Sequence, residues 1–501
     1  MSIKIIKFDV YFDSLFLISK SVVFYTFIRK MKKTKIIATV SHLYDEKKLL
    51  WIANAGVNII RLNFSHASYE DATIMINMIR KLNAQWKTNL SILLDTKWPE
   101  IRSGDVKEKI IIKKGDLIKL FIKKNLVKWN KDIFCDYPQL INDVKKWQMV
   151  IIDSWLLKTE VVSKTKDYVT VRALSDHLVW SRRHINLPWV KLSLPGLTAK
   201  DKADILYGIE KGVDFIAASF IRNKANVSEI RTFLKKYKAE HINIISKIEN
   251  QEALENLEEI VKASDAIMIA RWDLWVELPI QKLPFFQKEI MDMCFSYGKT
   301  VIIATELLKS MVSSPFPTRA EVSDVYNSVM LRTDCLMLSE ETAIGNYPIE
   351  SVQTMTDIIE EAEKHTNNKH KDFAMDETNA VTKAKKMLAK HAFVMADEYK
   401  AKCIVLFTHS GKLANIAQNY KPNVPVFVFC TDDKQLHIMN ILFGITPVKL
   451  PKRGKMHEED KERALLFLKK KWIVKKWDKV VVIWDTRLSG QIEPHVKIMH
   501  W

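Results

Sequence analysis

The chain has 501 residues, enough for two to four domains with large cores. Hydrophobic content of 48% and charged content of 27% exclude a disordered or collagen-like chain. The net charge of +19 favours anionic partners.

The distribution of that charge narrows the choice. Lysines are scattered, and the densest run, "LKKKWIVKKWDK", is interrupted by apolar residues as in a folded segment. Without a recognition motif, this points to small phosphorylated substrates and away from nucleic acid. Cys135, Cys294, Cys335, Cys403 and Cys430 are dispersed and odd in number, which reads as reduced intracellular thiols rather than a disulfide framework or zinc site. Glycine is scarce: 12 residues, fewer than the 14 tryptophans, roughly 2.4% where about 7% is usual.

Residues 1–30 are apolar and aromatic, but Asp9, Asp13 and Lys20 interrupt them. No uncharged run of ~18 residues exists, so no membrane-spanning helix is expected. A second methionine, Met31, begins "MKKTKIIATV", which reads as an opening strand. The first 30 residues are therefore expected to be an extension that the fold does not need and that is not necessarily translated.

From residue 34 short β-branched runs alternate with helical spacing. Strands are expected at 34–40, 58–64, 90–96, 214–220, 243–249, 266–270, 300–305 and 335–339, each a near-continuous apolar run as buried parallel strands require. Eight strand–helix alternations predict a (β/α)8 barrel over 31–98 and 188–349. From Lys97 to Val213 the rhythm breaks, and "IIIKKGDLIKLFI", "MVIIDSWLLKTEVVSK" and "YVTVRAL" read as antiparallel strands. A small β-barrel domain over 99–187 is thus expected after the third strand. Residues 350–501, with "CIVLFT", "VFVFC" and "VVVIW" between helices, predict a C-terminal α/β domain.

Polar residues stand at the ends of the barrel strands: Arg61, Asn63, Ser65 and His66; Asp95 and Thr96; Lys247 and Glu249; Asp273; and Thr305. Strand ends of this kind converge on the face where barrels place their chemistry. Glu249 and Asp273, from adjacent strands, suit an oxygen-ligated cation of the magnesium type. Lys247 beside them suits neutralisation of a phosphoryl group in transfer. A single Lys-x-Glu is more often a solvated pair; five such strand ends together are not.

The segments "RLNFSH", "LLDTKWPEIR", "FIAASF", "SKIENQEAL", "IARWDLWVE", "PTRAEVSDV" and "LSEETAIGNYP" resemble the signature segments of the pyruvate kinase family, in order. The resemblance runs from Met31 to the C-terminus. It implies a cytoplasmic glycolytic phosphotransferase that moves the phosphoryl group of phosphoenolpyruvate to ADP, with Mg²⁺ (or Mn²⁺) and K⁺, as a homotetramer. By motif, Arg61, Lys247, Trp272, Asp273 and Thr305 would meet substrate. Lys247 would stabilise the phosphoryl group and the enolate, and Thr305 would lie near the carbon protonated afterwards. Glu249 and Asp273 would hold Mg²⁺, while Asn63, Ser65, Asp95 and Thr96 would hold K⁺. Asn63, Ser65, His66, Arg102 and Arg183 would serve the nucleotide; lysine is usual at the last. Glu100 implies K⁺ activation, and "THSGK" (408–412) resembles a sugar-phosphate effector segment.

The family pattern expects glycine where this chain has Trp98, Trp147, Trp155, Trp180, Trp189, Trp272, Trp275, Trp472 and Trp477. Glycine permits close backbone approach and positive φ; tryptophan permits neither without strain. The conflict disappears if UGA codons at these positions are read as glycine, which would raise the count from 12 to about 21, roughly 4%. Asp176, His177, His184, Arg332 and Glu340 also replace family glycines, and Glu306 replaces a glutamine. Trp51 is expected on the apolar face of its helix. Two other readings stay open: a catalytically impaired relative acting as a subunit or binding protein, and a Mg-dependent barrel lyase on pyruvate-like enolates.

Overall fold

The computed structural model describes residues 32–97, 101–106, 108–128, 131–153, 155–193, 196–366, 373–374, 380–450, 458–488 and 491–500. The N-terminal extension, Trp98 and Glu100 lie outside them.

Three barrel strands come first: β1 (Lys35–Thr39), β2 (Ile59–Asn63) and β3 (Ser91–Asp95). The inserted segment follows with β4 (Ile110–Ile112), β5 (Leu117–Phe121), β6 (Asp132–Phe134), β7 (Met149–Ile152), β8 (Leu157–Lys164), β9 (Tyr168–Ala173), β10 (His177–Val179) and β11 (Ile185–Asn186). The barrel resumes with β12 (Phe215–Ala218), β13 (Asn243–Ile248), β14 (Ala266–Ala270), β15 (Thr300–Ala304) and β16 (Cys335–Leu338). These eight strands close in the order β1-β16-β15-β14-β13-β12-β3-β2, every pair parallel. All eight lie inside the expected spans.

Strand alternation divides the barrel core in two. Ile37, Ile59, Leu93, Phe215, Ile245, Met268, Ile302 and Met337 fill the interior, and their neighbours Ile36, Ile60, Leu94, Ile216, Ile244 and Ile303 face the helix layer. Emptying one such site, as in Ile302→Ala, costs about 2–5 kcal/mol. Helices are placed by their caps. Thr198 and Asp201 form a capping box for Ala199–Lys211, as do Thr318 and Glu321 for Arg319–Met330. The helix Pro348–Lys364 buries Val352, Met355, Ile359 and Ala362 in the barrel core, so the division from the last domain is better drawn after it than at 349.

In the inserted segment a six-stranded sheet, β11-β7-β8-β9-β5-β6, and a two-stranded ribbon, β10-β4, share one apolar core around Ile118, Val150, Val161 and Val171. The last domain has a five-stranded sheet, β19-β18-β17-β20-β21, built from β17 (Cys403–Phe407), β18 (Val426–Cys430), β19 (Ile445–Lys449), β20 (Lys479–Leu488) and β21 (Gln491–His500). Its core belongs to the same buried cluster as the barrel interior, with Phe373, Phe393 and Tyr420 among its members. The buried Lys421–Asp334 ion pair and the bond from Lys35 Nζ to the Ile445 carbonyl (2.6 Å) fasten the two units. Among the described residues no helix is long and apolar enough to cross a membrane.

The tryptophans divide. Trp51 is 44% exposed, and Leu49, Ile52 and Ala55 form the buried face of its helix instead; the expectation of a core residue is corrected, because the apolar stripe runs through the residues on either side of it. Trp147, Trp155, Trp189, Trp472 and Trp477 have positive φ. Trp180, Trp272 and Trp275 do not, so the backbone strain expected at 272 is absent.

Candidate active site

The alternation that buries one face of each strand also aims the polar ends. Two residues beyond Ile37, Ile59, Leu93 and Ile245 come Thr39, Arg61, Asp95 and Lys247, on the interior side of the barrel mouth. Ser219 follows Ala217 in the same way, and Glu249 follows Lys247 while Ile248 turns to the helix layer.

These side chains form one network. Lys247 Nζ lies 2.8 Å from Glu249 Oε1, 2.8 Å from Ser219 Oγ and 3.4 Å from Asp95 Oδ1. Asp95 Oδ2 accepts from Arg61 Nε at 2.7 Å, and Arg61 Nη1 donates to Thr39 Oγ1 at 2.8 Å. The second Glu249 oxygen accepts the Phe220 N–H. All of these polar groups are buried, and buried charges persist only when paired. Burial is the largest influence on Asp95 and alone would raise its pKa; the charges of Lys247 and Arg61 outweigh it and hold the carboxyl below its ordinary value. Burial likewise disfavours the Lys247 ammonium, but Asp95, Glu249 and Asp273 together push its pKa above the ordinary lysine value. The lysine is a fixed cation.

Asp273 enters from the helix Arg271–Glu277, which starts directly after β14 and carries the carboxylate in its first turn. Glu249 thus contacts the ammonium directly, and Asp273 adds a second carboxylate to its field. Among the described residues no group of three or more His, Cys, Asp and Glu is placed to hold a metal. A magnesium-type ion held by one or two carboxylates, completed by substrate oxygens and water, needs no third protein ligand, so the pair fits.

Thr305 closes the opposite side. It and Glu306 have φ of 69° and 54°, two left-handed residues in succession. Such strain persists where surroundings enforce it, and here Arg271 does so. Arg271 Nη2 donates to the Thr305 carbonyl at 2.7 Å and the Glu306 carbonyl at 3.2 Å, while Nη1 is held by Asp324 at 2.7 Å. Thr305 Oγ1 in turn accepts the Trp272 N–H at 3.1 Å. The rings of Trp272 and Trp275 meet edge to face, 5.1 Å apart, and Trp155 of the inserted domain donates Nε1–H to the Trp275 carbonyl at 3.0 Å.

The structure thus brings Arg61, Asp95, Lys247 and Glu249 into direct contact and places Asp273 within their field. Asn63 and Asp95 are register partners on β2 and β3, and Ser65 N–H donates to Asn63 Oδ1 at 3.1 Å. His66 is exposed on the loop after β2. Arg102 bonds to the Arg182 carbonyl (3.0 Å) and His184 Nε2 (2.9 Å), and Arg183 Nη1 lies 3.5 Å from Asp153 Oδ1. Among the described residues neither arginine touches the Lys247 network. Sequence reasoning missed Ser219, Thr39 and the Arg271–Asp324 clamp. Ser219 lies in "FIAASF" at the inward phase of its strand, and that phase is the usable signal.

Comparison with known proteins finds the same two-part organisation of barrel and last domain. A family model described as "Pyruvate kinase, barrel domain" matches residues 31–352, and one described as "Pyruvate kinase, alpha/beta domain" matches 386–493. A pyruvate kinase of Bacillus licheniformis is 38% identical over 83% of this chain and 71% of its own. One of Lactobacillus delbrueckii subsp. bulgaricus is 36% identical over 90% and 78%. A crystal structure of a pyruvate kinase from Cryptosporidium parvum superposes with a TM-score of 0.87 at 30% identity, covering 94% of this chain and 96% of that one. The chain belongs to the pyruvate kinase family.

Proposed function

We propose that this phosphotransferase moves the phosphoryl group of phosphoenolpyruvate to ADP, giving pyruvate and ATP. The observation that carries the reading is the Lys247 ammonium, 2.8 Å from Glu249 and 3.4 Å from Asp95 at the barrel mouth. Its raised pKa keeps it charged at neutral pH, so it can meet the equatorial oxygens of a phosphoryl group in flight and then the enolate left behind. Arg61, fixed by Asp95 and Thr39, binds the substrate phosphate. Thr305, held by the Arg271 clamp, stands by the carbon that takes a proton after transfer. Mg²⁺ or Mn²⁺, bound by Glu249 and Asp273, would supply charge neutralisation between the phosphates. Asn63, Ser65, Asp95 and Thr96 supply oxygens for K⁺, and Asn63, Ser65, His66, Arg102 and Arg183 serve the nucleotide.

Membership of the family also supports a homotetramer in the cytoplasm. A sugar-phosphate effector would use "THSGK", where the Gly411 N–H donates to Thr408 Oγ1 at 3.1 Å and Lys412 Nζ to Thr382 Oγ1 at 2.6 Å, ahead of the helix Lys412–Asn419. A catalytically impaired relative is favoured only if the indoles of Trp272 and Trp275 remain at the mouth. The test is a coupled assay for pyruvate on protein purified from its own cells, with and without K⁺. Turnover that requires ADP and rises with K⁺ supports the reading; folded protein without turnover refutes it.

A further inference from the structure

Six of the eleven tryptophans that the structure describes have positive φ: Trp86 (58°), Trp147 (74°), Trp155 (76°), Trp189 (65°), Trp472 (58°) and Trp477 (77°). Only nine of all the other described non-glycine residues share that conformation. Left-handed backbone crowds any β-carbon, and for a bulky side chain it is a true outlier. Tryptophan should be among the last residues found there.

Local geometry shows what belongs at these positions. In the turn "KKGD" (113–116) the Asp116 N–H donates to the Lys113 carbonyl at 3.0 Å, and the third residue is Gly115 with φ of 93°. The turn "KKWD" (475–478) closes identically at 3.1 Å with Trp477 third, and "KKWQ" (145–148) at 3.2 Å with Trp147 third. In "LPWV" the Val190 N–H reaches the Leu187 carbonyl at 3.2 Å, with Pro188 second and Trp189 third. Proline second and glycine third is the signature of a turn that requires positive φ. Trp155 is third in a further turn, closed by Leu156 N–H to the Asp153 carbonyl at 3.1 Å.

The remaining two end helices. Gly212 donates to the Ile209 carbonyl while Val213 donates to that of Gly208. Trp86 and Lys87 repeat this with Asn83 and Leu82, and Trp472 and Ile473 with Lys469 and Leu468. That paired ending favours glycine. Lys238, Lys400 and Arg332 also fill it, so the turns carry more weight than the helix ends. The side chains of Trp147, Trp189, Trp472 and Trp477 are 63%, 58%, 69% and 75% exposed, and the lysines over the rings of Trp147 and Trp477 are only their chain neighbours Lys146 and Lys476, so no buried packing offsets the strain at these four. Trp484 is the contrast: its backbone is extended, its ring stacks on His495 at 5.2 Å, and Lys461 sits 3.5 Å above it.

We infer that these six positions carry glycine in the protein as the cell makes it, their codons being UGA decoded as glycine, and that Trp484 and the mid-helix Trp51 are true tryptophans. The inference adds Trp86, which the family pattern did not indicate. It rests on backbone conformation and is independent of the catalytic reading. Trp272 and Trp275 carry no conformational mark, but a shared codon converts them by the same rule and removes two indoles from the mouth of the site.

Peptide mass spectrometry of protein purified from its own cells tests this. Glycine is expected in the peptides spanning 86, 147, 155, 189, 472 and 477, with tryptophan at 484; tryptophan in the first group overturns the inference. Recombinant chains give a second readout. Trp147→Gly, Trp189→Gly and Trp477→Gly should each raise the denaturation midpoint of the tryptophan-bearing chain, and lowered midpoints in all three would overturn it.

Discussion

Ser219 Oγ accepts a hydrogen bond from the Lys247 ammonium at 2.8 Å and shares its own hydrogen between the Thr96 carbonyl (3.0 Å) and Asp95 Oδ1 (3.2 Å). One hydroxyl thereby ties the cation of β13 to the end of β3. Ser219→Ala should remove this tie without disturbing charge. A lost buried hydrogen bond to a charged group is worth about 1.5–3 kcal/mol, so kcat should fall about tenfold or more. The Km for phosphoenolpyruvate should move little. Steady-state kinetics beside Ser219→Thr, which keeps the hydroxyl, separates positioning from folding damage.

Lys247→Met should cost more. Removing a preorganised charge from a transition state typically costs about 10²–10³ in kcat. It also leaves Glu249 and Asp95 buried with one partner fewer, destabilising the fold by roughly 3–5 kcal/mol. Glu249→Gln, by contrast, keeps the shape and should raise the Mg²⁺ concentration needed for half-maximal activity, by about tenfold for each 1.4 kcal/mol of lost binding. Titration of activity against Mg²⁺ checks it.

The Arg271–Asp324 clamp predicts a defect at a distance. Asp324→Ala frees the guanidinium that holds the carbonyls of Thr305 and Glu306 in left-handed backbone. About 1–3 kcal/mol of strain per residue is then unopposed. The expected result is reduced kcat with Thr305 displaced, seen as faster hydrogen exchange at residues 305–306.

Two carboxylates predict opposite pH effects. Asp95 has its folded pKa lowered, so its contribution to stability is present above the ordinary aspartate value, about 3.9, and is lost as pH falls through the folded pKa. Glu277 is pushed up to about 7 by burial, against a weak bond from Asn186 at 3.5 Å. Between the ordinary value, about 4.3, and about 7 the folded chain holds a proton that the unfolded chain has released. Stability therefore falls as pH rises through that window. Glu277→Gln should flatten the slope and stabilise the protein at pH 8 by an order of 1–3 kcal/mol, read from urea unfolding across pH.

The barrel was legible because buried parallel strands leave continuous apolar runs, and all eight, from Lys35–Thr39 to Cys335–Leu338, fall where those runs lie. The pairing of Lys247 with Glu249 was legible for the same reason: residues two apart share a strand face. Ser219 was not, since a serine at a strand end carries no mark of its partners. Trp51 misled because a helix stripe read from one sequence can be off by one residue, enough to turn an indole outward. The Arg271–Asp324 clamp spans 53 positions, and no local pattern encodes it.

Phosphorus NMR of the protein from its own cells, supplied with phosphoenolpyruvate, ADP, Mg²⁺ and K⁺, tests the central claim most directly. The phosphoenolpyruvate resonance should decay at the rate at which the γ-phosphorus of ATP appears, and Lys247→Met should slow both by about 10²–10³. Loss of phosphoenolpyruvate to inorganic phosphate or to another product, with no ATP formed, would contradict the account.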